Sequence, residues 1–426
     1  MTKNRTKKEK SQEALREKRT VTVELPLPLL SVLANSREAV MALCIRTGLH
    51  VVEHLMEEDR TALCGPRRVH DEGPKRYGYA ASEITLGGQR VAMRRPRVRG
   101  TSEVELPSFL WAAERDPLDQ ATWQSIANGV ATRRYEGMQP ALPAGIQGRS
   151  SSRSSVSRRF VVLSQRKLEE CLSRSLAELD LCAVMLDGIA FEQRMVLVAL
   201  GIATDGRKHV LGLWEGTTEN AAVAKALLRN LIERGFPSDR RMLFVIDGAS
   251  ALRQALRETF GDLAEVQRCQ VHKLRNVLEH LPEPMRPRIH KAICSAYELD
   301  NAKLAKRRLE QLARGLDREH PSAARSLREG LEETLTVQRL GIRGALWKTL
   351  RSTNPIENLN SGIARFTRNV KRWEGGSMIL RWVGSAVLEA EQRFRRVKGY
   401  QQMPQLVRAL QKPSSPTSAV TSKKAA

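Results

Sequence analysis

Two stretches constrain this chain more than any others: "LCAVMLD" at 181–187 and "RMLFVID" at 241–247. Each is an apolar run closed by an aspartate, and each aspartate precedes a glycine. A short, continuous apolar run bounded by turn residues reads as a strand buried on both faces. Such strands need helices packed over the sheet. "RMVLVALGIAT" and "HVLGLWEG" between them read as two more strands, and "ENAAVAKALLRNLIERG" as an amphipathic helix closed by Gly235. "EVQRCQV" is a candidate fifth strand. Three strands, a helix, a buried strand, a helix and a final strand predict an α/β layer: a mixed five-stranded sheet with flanking helices.

Aspartate before glycine after a strand is ordinarily a turn residue, and that reading serves for Asp187 or Asp247 alone. The pair says more. In open α/β sheets, ligands collect at the carboxyl ends of the strands. On neighbouring strands the two carboxylates project from one edge, where they repel and one tends to stay protonated. A divalent cation reverses that cost, since Mg²⁺ takes one or two carboxylates together with waters and phosphate oxygens.

Charge points the same way. The chain has 71 Lys+Arg against 47 Asp+Glu, a formal net charge of +24. Such a surplus on a folded protein favours a polyanionic partner, nucleic acid ahead of an anionic membrane. A basic surface that attracts a phosphodiester and an acidic cluster that holds metal ions form one coherent device. The length, 426 residues, implies about two to four domains. Apolar residues make up 41%, too many for a disordered chain. The six cysteines are scattered with no CxxC pair, so neither a disulfide framework nor a zinc finger is suggested and a reducing interior is expected. No apolar run approaches a membrane span. Residues 1–20 are a basic arm ahead of "VELPLPLLSVLANS", but two prolines and Glu24 break that run and argue against a secretory leader.

The stretch 36–60 has apolar residues at helical spacing, and 82–97 alternates about Gly87–Gly88 as a β-hairpin. The second strand ends in Arg94, Arg95, Arg97 and Arg99, which suit either solvent or a DNA backbone. Within 117–170, "IANGVATRRYEGM" has the shape of helix, glycine turn, helix. "SSVSRRF" offers a serine cap and a basic first turn with Arg158 and Arg159. Together they suggest a helix-turn-helix-like DNA reader, with a plain helical linker as the alternative. Residues 283–350 show helical patterns and no strand pattern, as in "NAKLAKRRLEQLARGL".

"TNPIEN" at 353–358 reads first as a helix start: Asn354 as N-cap, Pro355 at the first helical position, Glu357 three residues past the cap. At about 100° per residue, Ile356, Leu359, Ile363, Phe366 and Val370 share one stripe. Ser361, Arg365, Arg368 and Arg372 then fall on Glu357's side. That side is either an ordinary solvated face or a glutamate with phosphate-binding arginines behind it.

"VMLDGIAF", "FVIDGAS", "RCQVHKLRNVL" and "STNPIENLN", in this order and spacing, resemble the Mutator-type family of bacterial insertion-sequence transposases. "TENAAV" and "LIERG" fit as well, and the resemblance covers roughly 110–395. It implies a ribonuclease H-like core interrupted by an all-α insertion. It maps the catalytic, metal-binding triad to Asp187, Asp247 and Glu357, and a Cys-x-x-His element to Cys269 and His272 as supporting residues. Two ligands three apart do not make a zinc site. They are expected at a strand-to-helix junction near the active site, with plain core packing the alternative for Cys269. Lys273 and Arg275 join the expected DNA contacts.

The resulting expectation is a cytoplasmic, nucleoid-associated DNA transposase, homodimeric on double-stranded DNA and without a membrane. It uses two Mg²⁺ ions, with Mn²⁺ able to substitute. It binds terminal inverted repeats, hydrolyses a strand to free a 3′-hydroxyl and joins that end to target DNA. The alternatives are a metal-dependent nuclease without strand transfer and a non-catalytic DNA-binding regulator. The expected domains are a basic arm 1–20 and a mainly α DNA-binding region 21–175 that carries the hairpin. The core follows in two parts, 176–282 and 351–400, around the helical insertion 283–350. A disordered tail 401–426 ends the chain.

Overall fold

The computed structural model describes residues 37–67, 73–86, 88–114, 123, 146–150, 152–216 and 220–412. The basic arm 1–20, the "IANGVATRRYEGM" part of the helix-turn-helix-like region and the last residues, 413–426, lie outside them. The chain divides into two compact units, Met1–Leu163 and Ser164–Ala426.

In the first unit, helix α1 (Arg37–Cys64) precedes β1 (Lys75–Leu86) and β2 (Gln89–Arg99). These strands pair antiparallel from Leu86↔Gln89 to Lys75↔Arg99. The hairpin is therefore longer than its alternating core predicts, because "KRYGYAA" carries little apolar signal yet pairs with the arginine-rich end of β2. Gly88 has φ +83°, as a tight hairpin turn requires. Two short strands, β3 (Glu103–Val104) and β4 (Gly148–Ser150), extend β2 into a four-stranded sheet, and α2 (Pro107–Glu114) follows β3. Ile45, Val52 and Met56 of α1 pack on Ile84, Leu86, Val91, Met93 and Val98. A serine does cap α3 (Arg153–Ser173), but it is Ser152, whose Oγ accepts from Ser155 N; the helix starts ahead of "SSVSRRF", so the serines of that stretch lie inside its first turns.

The second unit carries β5 (Leu181–Phe191), β6 (Arg194–Ala203), β7 (Lys208–Gly216), α4 (Ala221–Glu233), β8 (Met242–Ile246), α5 (Ser250–Phe260) and β9 (Ala264–Arg268). Its sheet has the order β7-β6-β5-β8-β9. β5, β6 and β7 pair antiparallel, and β5–β8 and β8–β9 are parallel. This is the mixed five-stranded sheet with flanking helices that the apolar runs predict. Side chains alternate between faces along each strand. Leu186, Leu197, Phe244 and Ile246 meet α4 and α5 through Leu227, Leu231, Leu252 and Phe260. Asp187, one residue beyond Leu186, therefore points to the opposite face.

Helices then run without a strand from α6 (Gln270–Glu279) through α7 (Arg286–Tyr297), α8 (Ala302–Leu316), α9 (Pro321–Arg328), α10 (Thr336–Arg339) and α11 (Gly344–Leu350). They close a core of their own, with Ile293, Leu309, Leu316 and Leu327 at its centre. α12 (Asn354–Thr367) and α13 (Gly376–Glu391) return the chain to the sheet, α12 touching β5 and α13 touching β7.

The expected disordered tail starts too early. Residues Met403–Gln411 form α14, which buries Met403, Leu406 and Leu410 at helical spacing. Phe244, fully buried at the centre of β8 and packed on the Phe260 ring, tests the sheet packing. Phe244→Ala should cost about 3–5 kcal/mol. Val162→Ala, at a 57% exposed site, should stay within about 0.5 kcal/mol. Urea midpoints measure both, and equal midpoints would refute this packing.

Candidate active site

Parallel pairing of β5 with β8 ends at Leu186↔Ile246. Asp187 and Asp247 are the next residue on each strand, so they flank one gap at the carboxyl edge. They differ in every other respect. Asp187 does not end a strand, as the sequence suggests: β5 continues to Phe191 because β6 still pairs with it, Asp187↔Val198 among the partners. Gly188 is therefore no turn glycine; a β-carbon there would meet Met195 Sδ at 2.8 Å. Asp247 is a true turn residue, its Oδ1 accepting from Ala249 N at 2.9 Å. Gly248 has φ +111°, and a β-carbon there would strike Arg268 Nε at 2.0 Å. One dipeptide thus has two physical causes.

Cys269 N donates to Ile246 O, which sets Cys269 beside Asp247 at the end of β9. Cys269 then caps α6, its Sγ accepting from His272 N. It is at the strand-to-helix junction expected of it, fully buried. Gln270 N donates to Arg351 O, which brings the segment before Glu357 to this same edge.

α12 starts one residue earlier than the sequence suggests. Thr353 is its N-cap, Asn354 is the first helical residue and Pro355 the second. Glu357 therefore lies outside the capping-box position, and its own N–H donates to Thr353 O at 2.9 Å. Ile356, Leu359, Ile363 and Phe366 form the buried stripe as expected, but Val370, also expected on it, lies beyond the helix end at Thr367 and is only half-buried.

Thr353, a residue the sequence reading passed over, is the hub. It is fully buried. Its hydroxyl donates to Glu357 Oε1 and also lies 3.4 Å from Cys269 Sγ and 3.3 Å from His272 Nδ1. A hydroxyl has one proton and two lone pairs. With that proton on Glu357, an Nδ1–H of His272 has an acceptor. Cys269, His272 and Glu357 are a group whose ligating atoms all lie within 4.8 Å of one another, and the Thr353 hydroxyl sits among them.

Asn360, one turn beyond Glu357, is the second residue missed. Its Nδ2 donates to Asp187 Oδ2 at 2.7 Å. Its Oδ1 is buried without a hydrogen-bond partner. The signal was there to read: position 360 follows 357 by three, which puts both on one side of a helix.

Burial, then the negative charge of Asp247, push the Asp187 carboxyl up to about 6, with Glu357 adding to the effect. His272 is raised, first by its interaction with Cys269 and then by the charges of Cys269, Glu357 and Asp247. Burial pushes the Cys269 thiol up, but its contacts with His272 and Thr353 outweigh that and lower it.

The expected DNA contacts scatter. Arg275, Arg365, Arg368 and Arg372 are exposed, but α12 ends at Thr367, so Arg372 leaves the helical row. Lys273 must be withdrawn from the set. It is fully buried, its Nζ on Ser326 O and near Glu329, because position 273 faces α9 rather than solvent. In the first unit, Arg158 is exposed and bonds Ser154 O, and Arg159 bonds Thr85. Arg95 and Arg97 pair with Glu103, and Arg94 lies over the Tyr79 ring.

The fold and site together describe an α/β protein with an acidic centre at the carboxyl edge of its central strands. The sequence model described as "Transposase, Mutator family" matches residues 32–397, and the chain belongs to that family. It is 29% identical to the transposase for insertion sequence element ISRM5 of Rhizobium meliloti (strain 1021), over 85% of this chain and 90% of that protein. It is 24% identical to the transposase for insertion sequence element IS256 in transposon Tn4001 of Staphylococcus aureus, over 80% and 87%.

The Asp187 shift has a sign that can be tested. Its ordinary value is 3.8 and its folded value about 6. Below the ordinary value both states hold the proton. Between 3.8 and about 6 the folded state holds a proton that the unfolded state has lost, so stability falls as pH rises across that window, and above it the loss is constant. In chelator, Asp187→Asn should therefore be more stable than the parent at about pH 8, by on the order of 1–2 kcal/mol. The gain should shrink toward about pH 4. Urea melts at both pH values measure it, and a pH-independent difference would refute the assignment.

Proposed function

We propose that this chain is an insertion-sequence transposase with a ribonuclease H-like core, cutting and joining DNA at the carboxylates Asp187, Asp247 and Glu357. The observation that supports this reading is a shared edge, at which the residues within ligating reach of Glu357 are Cys269 and His272. Asp187 and Asp247 lie one residue past the same parallel register, and Asn360 ties the Glu357 helix to Asp187. Three antiparallel strands followed by two parallel ones, in the order β7-β6-β5-β8-β9, support the ribonuclease H-like assignment. The strandless helices from α6 to α11, with their own core, support an insertion between the second aspartate and the glutamate. The names of the relatives agree.

The residues present fit a hard divalent cation. Among the described residues no lysine or arginine forms an ion pair with Asp187 or Asp247, and Asn360 Oδ1 is buried without a partner. Carboxylate and amide oxygens suit Mg²⁺, and Mn²⁺ by the same chemistry. Asp187, Asp247 and Glu357 would hold two such ions, which when bound supply Lewis acidity to the attacking and leaving oxygens.

The chain's own groups do the positioning. Thr353 fixes the Glu357 carboxylate, and Asn360 fixes that of Asp187. His272, its basicity raised by its neighbours, offers a donor beside Glu357 to a phosphate oxygen. Arg365 and Arg368, exposed beyond Glu357, suit the backbone of DNA lying along α12. Water opens one strand to a 3′-hydroxyl, and that hydroxyl attacks a second phosphodiester in line. Recognition of terminal inverted repeats falls to the first unit, and synapsis of two ends calls for a homodimer. No described helix is long and apolar enough to cross a membrane.

Asp187→Asn, Asp247→Asn and Glu357→Gln should each lower strand cleavage by about two orders of magnitude or more. DNA affinity should stay near that of the parent. Cleavage and joining of labelled element ends in Mg²⁺ measure this. Normal cutting by Glu357→Gln would show the triad to be misassigned. Cutting without joining by the parent would make the chain a nuclease.

A further inference from the structure

The first unit exposes two aromatic rings where a sheet usually presents small polar groups. Tyr77 and Tyr79 of β1 are 47% and 43% exposed. Each ring is stacked with arginines. Arg97 and Arg99 both lie over Tyr77, with guanidinium carbons 4.9 Å from its centre. Arg94 lies 5.0 Å from the centre of Tyr79 and Arg60 lies 4.8 Å from it. A ring face holds a planar guanidinium in one orientation and leaves its N–H edge available. Arg95 and Arg97 point those edges at one carboxylate. Glu103 of β3 takes both Nε and an amino group of Arg97, at 3.1 and 2.8 Å, and an amino group of Arg95 at 3.0 Å. Two guanidinium forks on one carboxylate are also the arrangement that grips a phosphate. Glu103 is solvent-facing, so an incoming anion can reach it.

We propose that the tyrosine–arginine surface of the β1–β2 ribbon docks the phosphate backbone of duplex DNA, and that Glu103 stands in for a phosphate until DNA arrives. The inference rests on the transposase reading for its partner. It adds Tyr77, Tyr79 and Glu103 to the arginines that the sequence pointed to. The rings position the guanidiniums, and the surplus of arginine over glutamate on the ribbon supplies the attraction. A two-stranded ribbon also has the width to follow a DNA groove.

The test is the salt dependence of binding of a fluorescent mixed-sequence duplex to the full chain. Arg94→Ala and Arg99→Ala should each weaken binding severalfold and make the log–log salt slope shallower by about one. Tyr77→Ala should weaken binding without removing a charge. Glu103→Gln, which keeps the shape, should tighten binding at low salt and steepen the slope as two arginines turn to phosphates. Arg307→Ala, in α8, should change the slope little. If the parent binds and all the ribbon variants match it, the inference fails and the transposase reading stands. If Glu103→Gln binds more weakly, the stand-in role is wrong. A parent that binds no duplex at all would sink both.

Discussion

Mutual repulsion of carboxylates at one sheet edge is the constraint that the rest of this site answers. Asp187 is half-buried beside Asp247, and the cost shows in a carboxyl pushed up to about 6. A protein with no use for such a pair would replace one member or place a lysine or arginine between them. Here the neighbours are a glutamate, an asparagine and a threonine, which orient the charges, and a histidine that offsets only part of them. On the proposed reading, this electrostatic deficit is one that a cation would fill, at a cost in stability of the kind common at functional sites.

Much of this was legible beforehand, and the reasons differ by element. Buried strands announce themselves as apolar runs, so the five-stranded sheet and its mixed direction followed from pattern and order. Asp187 and Asp247 were legible as a pair because the runs before them were alike. What pattern did not show is that β5 passes through Asp187 while β8 stops before Asp247. That difference is set by β6, a partner strand, and no local signal in "LDGIAF" records it. The start of α12 was misplaced by one residue for a similar reason. Asn354 is the better cap by local preference, but Thr353 is held by Cys269, His272 and Glu357, and tertiary contacts override a preference of about 1 kcal/mol.

The basic surplus was easier to count than to place. A net charge says that a polyanion is attracted, not which arginines remain available to it. Lys273 stands next to His272 in the sequence, yet among the described residues it is the cation most completely removed from solvent, held by α9 against Glu329. Arg268 behaves likewise, with Glu329 as partner and with its side chain filling the space above Gly248. Helical position decides such cases: 273 and 277 share the buried side of α6, and 275 does not. Composition therefore gives a charge surplus without saying which side chains remain exposed.

The chain between Asp247 and Glu357 shows how a distant glutamate can be aimed. Loop closure costs little more as a connection lengthens, so separation in sequence is not the obstacle. Orientation is. The helices between them solve this by folding on their own core and fastening to the sheet at its exposed edge. The side chains of Gln267 and Gln270 both donate to Thr334 O, Gln267 Oε1 accepts from Val337 N, and Thr336 Oγ1 donates to Val266 O. These bonds cover β9, an edge strand that would otherwise invite pairing by another chain. They also fix where the helical segment ends relative to the sheet. Gln270 N on Arg351 O then hands the chain to Thr353 two residues later. The placement of Glu357 is thus inherited from an edge-capping network far from it in sequence. Loosening Gln267 or Thr336 should disturb the candidate site without touching a carboxylate.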